Sequence, residues 1–240
     1  MIDQYDVIIV GGGHAGCEAA AASARMGCRT ALVTQKKDTI GEMACNPSVG
    51  GIGKGTLVRE VDALDGLIGR VTDQAGIQFR MLNRSRGEAV QAPRAQADRD
   101  IYRDCMQAEL ASIENLDVLE RSVEDLYLDE SDRNVRGVID DKGEIIHSDR
   151  VVLTTGTFLG GIVHIGPKSY PAGRHRRDND EVEAPSTGLA ATLERLEFPL
   201  GRLSTGTPPR IDGNTVDYDN GPLLEQPSEE IPVPMSRSEE

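Results

Sequence analysis

Residues Asp6–Gly16 read D-V-I-I-V-G-G-G-H-A-G, an apolar strand that runs directly into a glycine turn. Glycines at positions 11, 13 and 16 satisfy the G-x-G-x-x-G pattern of dinucleotide-binding proteins. In that pattern the first glycine permits the tight turn, the second lets the backbone approach a pyrophosphate, and the third lets the helix pack close to the strand. We therefore expect cofactor binding by Gly11, Gly12, Gly13, His14, Ala15 and Gly16.

The residues after the turn complete a βαβ unit. Residues 18–26 are rich in strong helix formers, Gly27 is placed to end that helix, and residues 29–34 form a second buried-type strand. Such a unit predicts two parallel strands with a right-handed crossover, which is the context that the glycine motif requires. The acid that would hold a ribose at the end of the second strand is missing, because the positions are Thr34, Gln35 and Lys36.

A second strand ending in glycine lies at residues 151–156, V-V-L-T-T-G, and predicts another buried parallel strand. Three short strands near residues 122–128, 135–140 and 144–146 precede it and predict an antiparallel meander. A meander in this place resembles the FAD domain of glutathione-reductase-like flavoproteins, which favours FAD. The predicted fold class is therefore α/β: a Rossmann-like FAD-binding domain of the glutathione-reductase type with an inserted antiparallel β-meander, truncated before its final strand.

Other segments give a coarser secondary structure. Residues 56–66 and 95–113 predict helices, and residues 77–82 predict a strand. The apolar stripe expected on the longer helix consists of Ile101, Cys105, Leu110 and Ile113.

The composition limits the classes of function. The 240 residues carry 26 Lys+Arg and 40 Asp+Glu, a formal net charge of −14, which argues against binding nucleic acid through bulk charge. With 3 Phe, 5 Tyr and no Trp, an aromatic platform for single strands is not expected either. No apolar run approaches the roughly 18 residues of a membrane span, and the first residues resemble neither a signal nor a transit peptide. We expect a soluble intracellular protein.

The charge is unevenly distributed along the chain. Residues 178–240 hold 14 acidic and four basic side chains together with several prolines, and they read as loops and extended segments. This shift predicts an FAD-binding domain over 1–177 and, over 178–240, the start of a second or insertion region that is incomplete. The chain therefore reads as the N-terminal part of a longer protein.

The four cysteines, Cys17, Cys28, Cys45 and Cys105, have neither C-x-x-C nor zinc-finger spacing, so we predict reduced thiols and no metal site. Cys45 differs from the others because it lies in a polar, glycine-rich loop, where Lys54 could lower its pKa and make it a nucleophile. We predict that the other three fill the core. The loop lacks both the second cysteine of a disulfide reductase and the pattern of a P-loop.

Two groups of arginines contrast with the acidic background. Six arginines lie between residues 80 and 103, and three more lie at residues 174–177 beside a histidine. Such patches either bind the phosphates of a cofactor or of RNA or form a solvated face, and the sequence leaves both interpretations open.

Several long segments resemble one family, the tRNA uridine-5-carboxymethylaminomethyl modification enzymes known as MnmG or GidA. They begin with the glycine turn, include the Cys45 loop and continue along nearly the whole chain: residues 6–20, 38–55, 57–67, 75–83, 93–99, 153–161 and 201–212. Long, ordered matches of this kind are far more specific than a glycine turn alone.

The resemblance implies an FAD-dependent enzyme that uses NADH and methylenetetrahydrofolate to build the C5 (carboxymethyl)aminomethyl group on the wobble uridine of tRNA. It implies FAD binding by Gly11–Gly16, with further contacts from Val123 and Ser186. It makes Cys45 one of two catalytic cysteines, a nucleophile or acid/base toward the uracil ring. The implied partners are tRNA, a second copy of the chain and an MnmE-type GTPase, in the bacterial cytoplasm or the mitochondrial matrix and not at a membrane.

The chain departs from the family pattern in two places. Where the family usually reads G-P-A-V-R, residues 87–91 read G-E-A-V-Q, and residues 175–184 form a longer, charged turn. The second catalytic cysteine and the NAD-binding insertion of the family lie beyond residue 240, so we expect the 240 residues alone to be inactive. Two alternatives stay open: a folate- and FAD-dependent tRNA uracil methyltransferase, and a truncated, non-catalytic flavin-binding module.

Overall fold

The computed structural model describes residues 4–43, 46–131, 134–174, 182–206, 211–219 and 227–237. Contacts divide the chain into two units. Unit 1 is formed by Met1–Gly41 with Glu109–Arg202, and unit 2 by Glu42–Ala108 with Leu203–Glu240. Each unit is therefore built from two separate parts of the chain.

Unit 1 contains a parallel four-stranded sheet. Its strands are β2 (Val7–Val10), β3 (Thr30–Thr34), β7 (Leu116–Glu120) and β11 (Val151–Leu153), in the order β11-β2-β3-β7. Helix α1 (His14–Arg25) connects β2 to β3, and its small side chains let it pack closely on them. The α/β class and the βαβ unit predicted from the glycine motif are confirmed.

A second sheet of unit 1 is mostly antiparallel. Its strands are β1 (Gln4–Tyr5), β8 (Val123–Leu128), β9 (Val135–Asp140) and β10 (Ile145–Ser148), in the order β1-β10-β9-β8. Strands β8, β9 and β10 pair antiparallel in succession, whereas β1 pairs with β10 in parallel. These three strands lie at the segments where the sequence pattern predicts short strands.

One hydrophobic core joins the two sheets. Its buried members come from both sheets and from helix α5 (Gly188–Arg195): Tyr5, Ile8, Val10, Ala31, Val33, Val123, Val138, Ile146 and Leu189. Since side chains alternate along a strand, β2 and β3 direct Ile9 and Leu32 to the opposite face of the parallel sheet. The parallel sheet is thus buried on both faces, which is typical of strands that read as continuous apolar runs.

The helix α5 lies in a region where the sequence predicts only loops and extended segments, and that prediction is wrong there. Leucines at positions 189, 193 and 196 recur at helical spacing, and Leu189 enters the core of unit 1. Strands β12 (Ile162–Ile165) and β13 (Lys168–Pro171) form a separate antiparallel hairpin. The sequence predicts a boundary between two domains at residues 177/178. That boundary stays a prediction.

Unit 2 contains a three-stranded antiparallel sheet. Its strands are β4 (Ser48–Gly50), β5 (Gly76–Leu82) and β6 (Ala92–Ala97), in the order β4-β6-β5. Helices α2 (Lys54–Asp62) and α3 (Leu67–Ala75) pack on each other and on this sheet. The strand predicted over 77–82 is confirmed as β5, and the first predicted helix corresponds to α2, which begins two residues earlier.

The long helix predicted over 95–113 begins later than expected. Residues up to Ala97 belong to β6, and helix α4 (Arg99–Ser112) starts after Asp98, whose carboxylate accepts the backbone N–H groups of Asp100 and Ile101 at 3.0 Å. Ile101, expected on the apolar stripe, is 48% exposed. The buried stripe consists of Tyr102, Met106 and Leu110.

No helix within the described ranges combines the length and the apolar composition needed to cross a membrane.

Candidate functional site

The glycine turn of unit 1 is shaped by close contacts with the parallel sheet. Gly11 has φ +107°, and its N–H donates to the Val33 carbonyl at 2.8 Å. A Cβ at Gly11 would lie 2.6 Å from the carbonyl oxygen of Thr154, just past β11, so a larger residue would clash there as well as adopt a strained φ. Gly11 is thus required by two independent constraints.

The start of α1 packs equally tightly on the turn. A Cβ at Gly16 would overlap the carbonyl oxygen of Gly11. The Thr154 hydroxyl donates to the carbonyl oxygens of Val10, at 2.8 Å, and Gly11, at 3.1 Å, so the residue after β11 fastens the turn. The site prediction omits Thr154, although the T-T-G sequence at the end of that strand was its signal.

Gly13 occupies the N-cap of α1 and leaves the helix N-terminus accessible. No side chain caps the helix, no acid lies in its first turn, and a Cβ at Gly13 would meet no atom within 4 Å. The first N–H groups of a helix have no partner within the helix. These groups and the helix dipole both favour an anion at this end. The residues present therefore fit the pyrophosphate of a dinucleotide.

His14 is the first residue of α1 and is half-buried. Burial, together with the positive charge of Arg174, lowers the pKa of its imidazole from the ordinary value. The histidine is therefore neutral at pH 7, and Arg174 is a source of positive potential near the helix start. Arg174 belongs to the second arginine group of the sequence, but only the fold places it beside His14.

The end of β3 carries no acid, as the sequence indicates. Thr34 is buried, and its hydroxyl oxygen would lie 2.8 Å from a Cβ at Gly12. A carboxylate nevertheless reaches this corner from the neighbouring strand, because Glu120 lies opposite Thr34 and accepts the N–H of Lys37 at 2.8 Å. Sequence reasoning missed Glu120, since no local pattern connects it with β3.

Val123 and Ser186 both lie in unit 1, but their surroundings differ. The Val123 side chain is in the hydrophobic core, so only its backbone could meet a cofactor. The N–H of Ser186 donates to the Phe158 carbonyl at 3.3 Å, and its carbonyl accepts the N–H of Gly160 at 2.8 Å. Ser186 thus joins the loop after β11 to the segment before α5.

Cys45, the predicted catalytic residue, lies outside the described residues. The chain is anchored on both sides of it: the Met43 carbonyl accepts the Arg99 guanidinium at 2.5 Å, and the Pro47 carbonyl accepts the N–H of Ala97 at 2.8 Å. These bonds fix both ends of the short segment that contains Cys45 to the elements of unit 2.

The other cysteines differ from one another. Cys17 is fully buried, and burial raises the pKa of its thiol to about 12, so it is an inert core residue as predicted. Cys28 and Cys105 are only partly buried, which makes the core prediction wrong for them. Among the described residues, no group of three or more His, Cys, Asp or Glu side chains could hold a metal ion.

The parallel sheet, the glycine turn and the uncapped helix define a Rossmann-like α/β protein whose turn has the geometry of a dinucleotide site. Residues 6–240 match the model of the family described as glucose inhibited division protein A. The chain belongs to this family.

Two relatives bear the name tRNA uridine 5-carboxymethylaminomethyl modification enzyme MnmG. That of Granulibacter bethesdensis is 54% identical over 233 residues, 97% of this chain, and that of a Sulfurihydrogenibium species is 50% identical over 231 residues, 96% of this chain. The chain spans only 36% of the length of either relative.

Solved structures show the same likeness. GidA of Aquifex aeolicus, in its form II crystal, superposes with a TM-score of 0.88 at 46% identity, covering 98% of this chain and 38% of that one. A GidA-related protein of Thermus thermophilus superposes with a TM-score of 0.56 at 25% identity, covering 81% of this chain and 69% of that one.

Proposed function

We propose that this protein binds FAD and takes part in building the C5 (carboxymethyl)aminomethyl group on the wobble uridine of tRNA. The observation that supports FAD is the cradle formed by Gly11, Gly13 and Gly16 at the open N-terminus of α1. The tRNA reaction is supported by the names of the two relatives, which are half identical to this chain over nearly its whole length.

The order of strands supports a flavin domain of the glutathione-reductase type. Three successive antiparallel strands, β8–β10, lie in sequence between β7 and β11 of the parallel sheet. We interpret them as the meander inserted in such domains, and we propose that the final strand of the domain is supplied by a part of the protein beyond these 240 residues.

The residues of the chain have distinct tasks in this proposal. The first N–H groups of α1 bind the pyrophosphate, while neutral His14 and the nearby Arg174 set the potential there. The backbone of Val123 and the segment at Ser186 contact the rest of the cofactor. Bound FAD would supply the redox chemistry of the reaction.

Cys45 is the proposed catalytic residue toward uracil. Its thiolate would add to C6 of the ring, and C5 would then become nucleophilic and could be alkylated; loss of the C5 proton would then expel the thiolate from C6. NADH and methylenetetrahydrofolate as co-substrates, a second copy of the chain and an MnmE-type GTPase as partners complete the proposal, and these rest on the family resemblance.

The test uses the family-length protein with a substrate tRNA, and it measures bound flavin by absorbance and modified nucleosides by mass spectrometry. We expect Cys45→Ala to abolish modification while flavin stays bound, and the matched variant Cys28→Ala to leave both unchanged. Formation of 5-methyluridine instead would favour the methyltransferase alternative, and bound flavin without any modification in the wild type would favour a non-catalytic module.

A further inference from the structure

One face of the three-stranded sheet in unit 2 brings two arginines together. In the antiparallel register Arg80 of β5 lies directly opposite Arg94 of β6, and Gly50 of β4 lies opposite Arg94 on the other side. Residues in this relation have Cβ atoms about 4.5–5.5 Å apart, and like charges placed so destabilise a sheet. In this row of the sheet, no carboxylate lies opposite either arginine.

In the part of the chain that the structure describes, neither arginine forms an ion pair with a carboxylate, and Glu229 is paired with Arg84. The Glu229 carboxylate interacts electrostatically with Arg80, but its hydrogen bonds are made with other groups. The guanidinium of Arg84 and a backbone N–H of β5 bond its carboxylate, and these contacts hold its pKa below the ordinary value. Arg94 donates at 3.2 Å to the neutral amide oxygen of Gln96, with that amide oriented to satisfy both of its neighbours.

The next row of the same face is polar and uncharged. Ser48 of β4 and Gln78 of β5 lie on either side of Gln96. The two rows thus present two guanidinium groups, two amides and a hydroxyl, all on half-buried residues and without a carboxylate. The fork of a guanidinium matches phosphate oxygens, and glutamine and serine side chains also contact phosphate and sugar in nucleic-acid complexes.

A glycine keeps the approach to Arg94 open. Gly51, the residue after β4, has no side chain that could cover the arginine, and its φ is +104°. A Cβ at Gly51 would lie 3.9 Å from Cδ of Arg94, so the arginine stem runs along bare backbone. A ligand could therefore reach the guanidinium without displacing a side chain of β4.

We propose that Arg80 and Arg94 form a phosphate-binding site for the backbone of the RNA substrate. This inference rests on the proposed function. A local pair of this kind can bind RNA despite the net charge of −14, because phosphate contacts depend on placed charges at short range rather than on the total.

The experiment measures the affinity of the family-length protein for a substrate tRNA by fluorescence anisotropy over a series of salt concentrations. Each phosphate contact contributes about 0.7–0.9 to the slope of log K against log salt. We expect Arg80→Gln and Arg94→Gln each to reduce the slope by about that amount, and the double variant by about twice as much. Lysine at either position should largely restore it, since counterion release depends on the charge.

The matched control is Arg70→Gln in the same unit, because Arg70 is already paired with Asp65 at 2.6 Å. It should leave the slope unchanged. Thermal unfolding separates binding from structure: loss of one of two opposed like charges should keep or raise the Tm, whereas a structural role would lower the Tm.

Slopes equal to the wild type in folded glutamine variants would overturn the inference. An unchanged slope with weaker binding of FAD or inorganic pyrophosphate would also overturn it, in favour of a small anion. If the wild-type protein neither binds nor modifies tRNA, the proposed function fails as well; if it does both and only the slopes are unaffected, the failure concerns these two arginines alone.

Discussion

Two helices of this protein begin after glycine turns that look alike in sequence but are built differently. Helix α1 follows Gly13 and begins with His14, and helix α2 follows Gly53 and begins with Lys54. In both cases no side chain caps the helix and no acid lies in the first turn. By composition alone, the two turns would be expected to serve the same purpose.

The contacts of the glycines separate them. In unit 1, Gly16 packs against the carbonyl of Gly11, while the N-cap Gly13 faces open space. In unit 2, a Cβ at Gly50 would overlap the carbonyl oxygen of Pro93 and lie 2.9 Å from the methyl carbon of Met235. The first turn is thus tightened by its own βαβ unit and by Thr154 after β11, and the second by an antiparallel neighbour and a C-terminal segment.

This difference identifies the turn that suits a cofactor. The turn of unit 1 stands at the carboxyl end of a parallel strand, where α/β sheets bind ligands. The loop of unit 2 is closed by Met235, which is fully buried and whose N–H donates to Asp73 at 2.6 Å. The neighbours that each turn packs against, rather than the number of glycines, distinguish the two.

The largest effect is expected from Gly16→Ala. The new Cβ would overlap the backbone of Gly11, so the helix or the turn must move. We expect the free energy of unfolding to fall by about 3 kcal/mol, and bound flavin to be lost. Urea unfolding and the flavin absorbance of the purified protein measure the two effects.

Gly13→Ala is the matched control, since its Cβ would meet no protein atom within 4 Å. It should change the free energy of unfolding by no more than about 0.5 kcal/mol. It should nevertheless weaken flavin binding, because the methyl group would occupy the place where a pyrophosphate approaches. Equal losses of stability in the two variants would contradict the proposed construction of the turn.

A smaller effect is expected from Gly50→Ala in the loop of unit 2. Gly50 has φ +83°, and the added Cβ would overlap the carbonyl of Pro93. We expect a loss of about 2 kcal/mol in the free energy of unfolding, measured by urea denaturation. Gly53→Ala, at φ +73° with open space around it, should cost only about 1 kcal/mol, the strain of the left-handed backbone. A cost at Gly53 as large as that at Gly50 would show that backbone conformation alone governs this loop.

Local patterns were enough to predict the turn of unit 1, because β2, α1 and β3 follow one another within a short stretch of sequence. The same approach failed at the start of α4. Residues Ala95 and Ala97 are strong helix formers, yet they belong to β6, which pairs with β5 and β4 on either side. Strand pairing thus outweighs local propensity there, and Asp98 sets the start and the phase of the helix.

The candidate site was predictable to the same extent. The glycine spacing indicated Gly11, Gly13 and Gly16, although the carbonyl oxygen that a Cβ at Gly11 would meet belongs to the distant Thr154. The hydroxyl of Thr154 and the charge of Arg174 reach the turn from more than a hundred residues away. No pattern within one segment specifies such contacts, since they depend on the strand order of the sheet.

The smallest effect is expected from His14, the residue that begins α1; α2 begins with a lysine instead. Burial, followed by the charge of Arg174, lowers the pKa of His14 in the folded protein. As the pH falls below about 6.5, the unfolded chain therefore takes up this proton first, and the free energy of unfolding decreases. Above that pH the residue contributes no pH dependence.

The variant His14→Gln removes this proton uptake and should be less sensitive to acid. Between about pH 7.5 and 5.5 we expect the wild type to lose a few tenths to about 1 kcal/mol relative to the variant, since burial and the charge of Arg174 oppose protonation of His14 in the folded protein. Urea unfolding at several pH values measures the difference. Added flavin should reduce it, because an anionic pyrophosphate at the turn favours the protonated imidazole. If flavin leaves the pH-dependent difference in stability between wild type and His14→Gln unchanged, His14 does not adjoin the bound anion. The residue that begins α1 would then show no more sign of a bound anion than the residue that begins α2.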